Sequence, residues 1–429
     1  FMQLIILYWI PVGIGGFFLS ALFLRFVSDK TRALTFVPLI YLAFVLAIDL
    51  PGVLTNKVPA CYQSTGVTPR YESSPEAPDV VLITLDTCRA DYLGCYGHPE
   101  AYTPTLDRLA KHGLMVEDAI TSIPVTTPGH ATILTGQNPP EHGSRFNAVP
   151  INVESRTLAE VFRDNGYSTG AFISAFPVTA EVSSLNRGFD IYDQLLTPSR
   201  LHPLIYRATA VSWLTRFGPF RAAERKWKSV VDSTIKWWQM DRDKPEFTWI
   251  HFYDPHFPYK AGDDFNRMYL DKPTIYPQSV FHIAEINEKG ITPDREMIEE
   301  FKALYLAEIS AVDHATEFLI RERQLRGKLD NCLITVTADH GESLDEHDYY
   351  FSHGETLYDP SVKVPLIAWH SRKTPKLNLA GGQLPLMNLY HFILQKTGAN
   401  IGGDLPVESM LGRIWNGQDN RLPLTNSFC

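Results

Sequence analysis

Three short apolar runs in this chain each lead directly into an acidic residue. Runs of this length, rich in β-branched and aromatic residues, are typical of buried strands. The carboxyl ends of parallel strands meet at one edge of a sheet. The pattern therefore predicts an α/β fold in which three carboxylates share one crevice. The runs and their acids are Val80 to Leu85 with Asp86, Thr248 to Tyr253 with Asp254, and Cys332 to Ala338 with Asp339.

An acid at the end of a strand either caps the following turn or binds a metal, and the neighbouring histidines favour metal binding. An isolated Asp at this place caps the following turn as readily as it binds a metal. Here His340 follows Asp339 directly, and His256 follows Asp254 by two positions. Carboxylate and neutral imidazole together suit a divalent cation such as zinc or manganese, whereas calcium prefers oxygen ligands alone. The sequence therefore predicts a metal centre at this edge.

A threonine pair precedes a predicted helix in the segment V-T-T-P-G-H-A-T-I-L-T-G. Thr127 is expected to be the N-cap, Pro128 the first helical residue and Gly136 the end. Thr126 would then lie at a helix N-terminus, which favours an anion. Beside a divalent cation, its hydroxyl is a candidate nucleophile. The alternative is a pair of threonines that only caps the helix.

Two apolar segments at the start of the chain predict a membrane anchor. Residues 1–24 carry no charge, and residues 33–48 with their flanks approach spanning length. The short loop between them is basic, which places it in the cytoplasm and the rest of the chain on the periplasmic or extracellular side. A cleaved signal peptide is the rival interpretation.

The predicted organisation is an anchor over 1–54, a Ser/Thr/Pro-rich linker over 55–78, and a catalytic domain over 79–429. We expect the chain to be a fragment that ends within a C-terminal subdomain. A net charge of -9 without a basic stripe argues against nucleic acid as a partner. The five cysteines form no C-x-x-C pair, which argues against a zinc ribbon or a thioredoxin-type site.

From about residue 79 to residue 398, the chain resembles the sulfatase branch of the alkaline phosphatase superfamily. The resemblance rests on ordered motifs that include D-T-C-R-A-D-Y-L-G-C-Y-G, T-P-T-L-D-R-L-A, T-T-P-G-H-A-T-I-L-T-G, G-F-D-I-Y-D, H-F-Y-D-P-H-F-P-Y, D-H-G-E-S-L-D-E-H and F-S-H-G-E-T-L-Y-D. It implies a mixed, largely parallel sheet sandwiched by helices, with a metal at the carboxyl edge.

The resemblance also implies roles for individual residues. It places a divalent cation (calcium, manganese, zinc or magnesium) at the site, with Thr126 as the nucleophile beside it. Zinc or manganese is favoured by the mixed Asp and His ligands. The implied metal ligands are Asp86, Asp339 and His340; the implied contacts to the transferred group or leaving oxygen are His256 and His353; the implied substrate contacts are His130 and Asn147.

The chain departs from arylsulfatases at the nucleophile. Those enzymes convert a Cys or Ser within C/S-x-P-x-R to formylglycine, whereas Thr126 and His130 occupy these positions here. Thr87 replaces a second metal-ligating Asp, and a Lys-Trp-His segment is absent near Phe172 to Phe176. A Thr nucleophile is typical of the superfamily's phosphodiesterases and phospholipid-dependent phosphotransferases.

We therefore predict a membrane-anchored, metal-dependent hydrolase of sulfate or phosphate esters, with a glycan or lipid ester as substrate and membrane lipid nearby. One alternative is transfer of a lipid-derived phospho group to a glycan or lipid acceptor, and another is a binding protein without catalysis. Asp254, His256 and His353 are candidate ligands of a second metal. The alternative for the two histidines is direct substrate binding. Glu342 is a candidate to orient His340.

Overall fold

The three acid-terminated apolar runs form neighbouring strands at the centre of one sheet. In the computed structural model they are β2 (Asp79–Leu85), β6 (Glu246–Phe252) and β7 (Cys332–Ala338), within one residue or two of the predicted bounds. All their residues are buried, as expected for parallel strands covered on both faces. Strand β2 lies between β6 and β7 and pairs in parallel with each. The predicted convergence of their carboxyl ends is confirmed.

The structure describes residues 61–63, 68–74, 76–194, 224–240, 242–372, 377–379, 382–402 and 409–416. Both predicted membrane spans and part of the predicted linker lie outside these residues. In the part of the chain that the structure describes, no helix combines the length and the apolar character needed to cross a bilayer. The anchor therefore stays a prediction.

Across the described ranges, the sheet has ten strands in the order β1-β5-β4-β6-β2-β7-β8-β3-β10, with β9 paired to β3. Strands β1 and β8 run antiparallel to their neighbours, and the other pairings are parallel. This confirms a mixed, mostly parallel sheet. The remaining strands are β1 (Cys61–Gln63), β3 (Leu114–Ile120), β4 (Ser168–Phe172), β5 (Ile191–Asp193), β8 (Lys363–His370), β9 (Leu377–Leu379) and β10 (Leu384–Pro385).

Helices pack against the sheet in two groups. Helix α9 contacts both α1 and α6, and α2 contacts α4 and α11. Because the central strands are buried on both faces, the groups enclose the sheet. The helices are α1 (Pro104–Lys111), α2 (Thr126–Thr135), α3 (Pro139–His142), α4 (Leu158–Asp164), α5 (Ala180–Ser183), α6 (Trp227–Trp238), α7 (Asp263–Asn266), α8 (Val280–Lys289), α9 (Arg295–Leu325), α10 (Asp359–Val362), α11 (Asn388–Thr397) and α12 (Met410–Trp415).

The long helix α9 holds the turn that follows β2. The hydroxyl of Tyr305 donates a hydrogen bond to the carbonyl of Thr87 at 2.7 Å and accepts one from the N–H of Arg89 at 2.9 Å. Thr87 itself has a φ of 58°, in the left-handed region that a β-branched residue rarely adopts. The buried tyrosine therefore keeps the chain in a sharp turn directly after Asp86.

Candidate active site

Asp86, Asp339 and His340 meet at the carboxyl edge of the sheet. Strands β2 and β7 end side by side, since Leu85 pairs with Ala338 in register. One ligand atom from each of the three side chains lies within 4.8 Å of the others. All three residues are fully buried. Within the described ranges, this is the one group of three such side chains close enough to hold a metal ion.

The polar atoms of this group lack partners in a way that fits a bound cation. Both carboxylate oxygens of Asp86 and Oδ2 of Asp339 accept no hydrogen bond from the described residues. Nδ1 of His340 donates to the carbonyl of Gly341 at 2.9 Å, so Nε2 of the neutral ring carries the lone pair. That lone pair lies 3.3 Å from Asp339 Oδ2 and 3.8 Å from Asp86 Oδ1. Three acceptors without donors are costly when buried, and a divalent cation satisfies them together.

Burial and neighbouring charges shift the pKa values of these groups in different directions. Burial, together with the nearby Asp339, raises the pKa of Asp86 well above its ordinary range. Burial opposes ionisation of Asp339 as well, but His340 and His130 outweigh it and lower the pKa of that carboxyl. Burial lowers the pKa of His340 to about 4, which keeps its imidazole in the neutral, metal-binding form.

Thr126 lies beside this group at the start of α2. Its Oγ1 is 3.4 Å from Nε2 of His340, and the residue is 2 % exposed. Helix α2 begins at Thr126 itself, so the prediction that Thr127 caps the helix and Pro128 begins it is wrong by two residues. The predicted end is confirmed, because Gly136 takes a φ of 67° that a residue with a side chain rarely adopts.

The reason for the earlier helix start is a capping group supplied by another loop. The side-chain oxygen of Asn147 accepts the backbone N–H of Thr127 at 2.8 Å. The hydroxyl of Thr127 instead donates to the carbonyl of Pro177 at 2.7 Å. Asn147 thus supplies the acceptor that a local N-cap normally provides. Asn147 is exposed at the surface, and a contact between its side-chain amide and a substrate stays a prediction.

His130 does not lie where the resemblance implied. Its side chain is fully buried beneath the site. Nδ1 donates to the carbonyl of Thr126 at 2.8 Å, and Nε2 lies 3.1 Å from the hydroxyl of Thr84. Nδ1 is also 3.3 Å from Oδ2 of Asp339. With both ring nitrogens engaged inside the protein, His130 supports Thr126 and Asp339 from below, and a direct substrate contact is not available to it in this geometry.

His256 and His353 form the other wall of the site. Their ring centroids are 4.9 Å apart, and the ring of His353 lies 4.4 Å from that of His340. Nδ1 of His256 donates to the carbonyl of Phe257, which leaves its Nε2 as an acceptor. Burial lowers the pKa values of both His256 and His353. The structure thus brings together the two histidines predicted to contact the transferred group.

Asp254 does not join these histidines in a metal-binding set. Its charged neighbours are Glu308, Glu224 and Lys260, and burial raises its pKa to about 7. The second metal predicted at Asp254, His256 and His353 is therefore not assembled. Among the described residues, Asp254, His256 and His353 do not come close enough together to form a metal-binding group, although only two positions separate Asp254 from His256 in the sequence.

Sequence reasoning missed His251, a buried histidine inside β6. Its Nε2 lies 3.5 Å from Oδ2 of Asp86, and Nδ1 lies 3.1 Å from the hydroxyl of Ser174. His251 pairs in register with Thr84, two positions before Asp86 on the same face of β2. A polar residue inside an otherwise apolar strand was the available signal. Its position behind Asp86 required the register between β2 and β6.

Comparison with known proteins assigns this chain to a family. The family model described as Sulfatase matches residues 78–399. The chain belongs to the sulfatase family. This confirms the resemblance that the ordered motifs carry.

Individual relatives are similar over most of the sulfatase-family region. The chain is 26% identical over 310 residues to the ulvan-active sulfatase of Formosa agariphila, covering 70% of this chain and 57% of that protein. It is 26% identical over 333 residues to an arylsulfatase of Clostridium perfringens, covering 68% of each. The crystal structure of the phosphonate monoester hydrolase of Agrobacterium radiobacter shares the fold with a TM-score of 0.58 and 20% identity, covering 75% of this chain and 74% of that one.

Proposed function

We propose that this chain is a metal-dependent hydrolase of sulfate or phosphate esters that uses Thr126 as its nucleophile. The observation that carries the proposal is that the Thr126 hydroxyl contacts Nε2 of His340, beside three buried carboxylate oxygens of Asp86 and Asp339 that lack donors. The relatives support the class of reaction, since they include enzymes named as sulfatases and a fold relative named as a phosphonate monoester hydrolase.

Asp86, Asp339 and His340 would hold one divalent cation. Two carboxylates and one imidazole favour zinc or manganese over calcium or magnesium. When bound, the cation lowers the proton affinity of a neighbouring hydroxyl and neutralises charge on the ester. His130 contributes by holding the backbone carbonyl of Thr126.

Thr126 attacks the sulfur or phosphorus atom of the ester in line with the leaving oxygen. Its hydroxyl proton leaves to water, a bond from Oγ1 to the central atom forms, and the bond to the leaving oxygen breaks. His353 or His256 protonates that oxygen as it departs. Water then attacks the covalent adduct, the bond to Oγ1 of Thr126 breaks, Oγ1 takes up a proton from solvent, and the sulfate, phosphate or phosphate monoester product is released. The start of α2 adds its dipole to anion binding, although the N–H of Thr127 is already bonded to Asn147.

Thr126 also bears on the choice of ester. A threonine at this position has no route to the formylglycine that arylsulfatases use, so we propose that phosphate esters are turned over at least as well as sulfate esters. The substrate's alcohol would be a glycan or a lipid. The ulvan-active relative supports a saccharide. The apolar segment over residues 1–24 supports the alternative, a membrane-anchored transferase outside the cytoplasm that passes the phospho group to an acceptor hydroxyl.

The test is a panel of aryl sulfates, phosphate monoesters and phosphate diesters on one preparation, with metal content measured per chain. Thr126→Ala should lose at least about a thousand-fold in kcat on every ester that the wild type hydrolyses. Thr126→Ser keeps a hydroxyl and is the matched control, with part of the activity retained. Equal turnover by wild type and Thr126→Ala would overturn the nucleophile. Turnover that appears only with an added alcohol or glycan acceptor would favour transfer.

A further inference from the structure

A buried carboxylate faces the imidazole of His353. Oε1 of Glu342 is 3.7 Å from Nδ1 of His353, and the Glu342 side chain is 1 % exposed. Nδ1 of His353 has no hydrogen-bond partner among the described residues. The sequence placed Glu342 beside His340, but its carboxylate is turned toward His353 instead. At 3.7 Å the two groups face each other without a hydrogen bond, and catalytic hydrogen bonds are often long before a site binds its substrate.

The Glu342 carboxylate is held in this orientation by other buried groups. The hydroxyl of Tyr259 donates to Oε2 at 3.2 Å. Tyr259 is 2 % exposed, so this anchor is itself inside the core. With Oε2 fixed on Tyr259, Oε1 is the oxygen presented to His353.

His256 and His353 differ in the groups that fix the orientation of their rings. His256 bonds through Nδ1 to the carbonyl of Phe257 and stacks on Tyr253 with ring centroids 4.3 Å apart. Its orientation is therefore set without a carboxylate. Nδ1 of His353 faces Oε1 of Glu342 instead, and the ring lies close to that of His340, whose Nε2 faces Thr126. The charge of Glu342 acts on His256 as well, but Nδ1 of His256 is already bonded, so His353 is the histidine whose Nδ1 is available to this carboxylate.

We propose that Glu342 is a positioning residue for His353: it holds the Nδ1 proton and turns Nε2 toward the leaving oxygen of the ester. This rests on the proposed hydrolase function and selects between its two histidines. When the ester bond breaks, its electron pair stays on the leaving oxygen, which takes the Nε2 proton of the doubly protonated ring. His353 becomes neutral with its remaining proton on Nδ1 toward Glu342. The water that attacks the Thr126 adduct returns a proton to Nε2.

Glu342→Gln tests this role with a defined structural consequence. Because the Tyr259 hydroxyl donates to the side chain, the amide oxygen stays at Tyr259 and the amide NH2 faces His353. Nδ1 must then accept a hydrogen bond, and the neutral ring moves its proton to Nε2. Nitrogen NMR of the full chain labelled at histidine, with His353→Gln to assign the signals, should show this change of tautomer. Unchanged His353 signals in Glu342→Gln would overturn the proposal.

Kinetics on two esters separate positioning from a structural effect. A nitrophenolate leaves without a proton, whereas an unsubstituted phenolate needs one. Glu342→Gln should lower kcat on the phenyl ester by about tenfold or more, change it at most about threefold on the nitrophenyl ester, and leave KM unaltered. An equal loss on both esters would refute positioning. Tyr259→Phe, which removes only the anchor, should show a weaker form of the same pattern and replaces Glu342→Gln if that variant does not fold. If the wild type hydrolyses neither ester, the proposed function fails, and the NMR result alone decides the role of Glu342.

Discussion

Replacing Asp86 by Asn is expected to make the protein more stable than the wild type when no metal is bound, and less stable than the wild type when a metal is bound. Both carboxylate oxygens of Asp86 are buried without a hydrogen bond, and the nearest ring nitrogens, on His251 and His340, are 3.5 and 3.8 Å away. Without a cation this acid is a buried group with no compensation, close to Asp339. The amide of Asp86→Asn is neutral and can donate to Asp339. Metal-free Asp86→Asn should therefore be more stable than the wild type by about 1–3 kcal/mol.

With a cation present the order should invert. A cation at a hundred times its Kd stabilises the folded wild type by about 2.7 kcal/mol, and Asp86→Asn loses most of this gain because it lacks a ligand. Urea unfolding, followed by fluorescence in EDTA and then in excess manganese or zinc, measures both values. Asp264→Asn is the control for loss of one negative charge, since the Asp264 side chain is 94% exposed. The reasoning fails if no divalent cation stabilises the wild type, or if Asp86→Asn gains as much as the wild type does.

Three further substitutions test the scaffold around the site. Arg323 is 1 % exposed and lies between the carboxylates of Asp79 and Glu246. Arg323→Met should therefore destabilise the protein by about 3–5 kcal/mol in urea unfolding. A variant as stable as the wild type would show that these buried ion pairs contribute nothing to stability. Gly188→Ala would place a methyl carbon 2.1 Å from a backbone nitrogen and should lower the melting temperature far more than Gly290→Ala, which meets no atom within 4 Å at a similar positive φ. Asn147→Ala removes the acceptor for the N–H of Thr127 and should cost about 1 kcal/mol, whereas Asn147→Asp should retain the stability of the wild type.

The central strands were predictable because their signal is local. An apolar run of six or seven residues buries both faces of a strand wherever it lies in the sheet, and the acid that ends it shows which edge is polar. The order of β6, β2 and β7 was not needed to expect that their ends converge. Membership of the sulfatase family was predictable for the same reason, because the family's motifs are contiguous stretches of sequence that include Asp86, Thr126 and Asp339.

The errors concern residues whose partners come from distant segments. The helix at Thr126 begins earlier than its own residues indicate because Asn147, twenty positions later, accepts the Thr127 N–H. His130 lies below the site because α2 packs its buried face over Thr84 and Asp339. No pattern within either segment contains this information.

The sequence by itself determined the fold class, the family, and the chemical groups that gather at the carboxyl edge, because hydrophobic runs and strand ends act through nearest neighbours along the chain. Only the tertiary structure decided how those groups are paired. It turned Glu342 to His353 rather than His340, moved Asp254 away from His256, and set His251 behind Asp86. Hydrogen bonds depend on distances of a few tenths of an ångström between side chains, and strand register and loop packing set those distances.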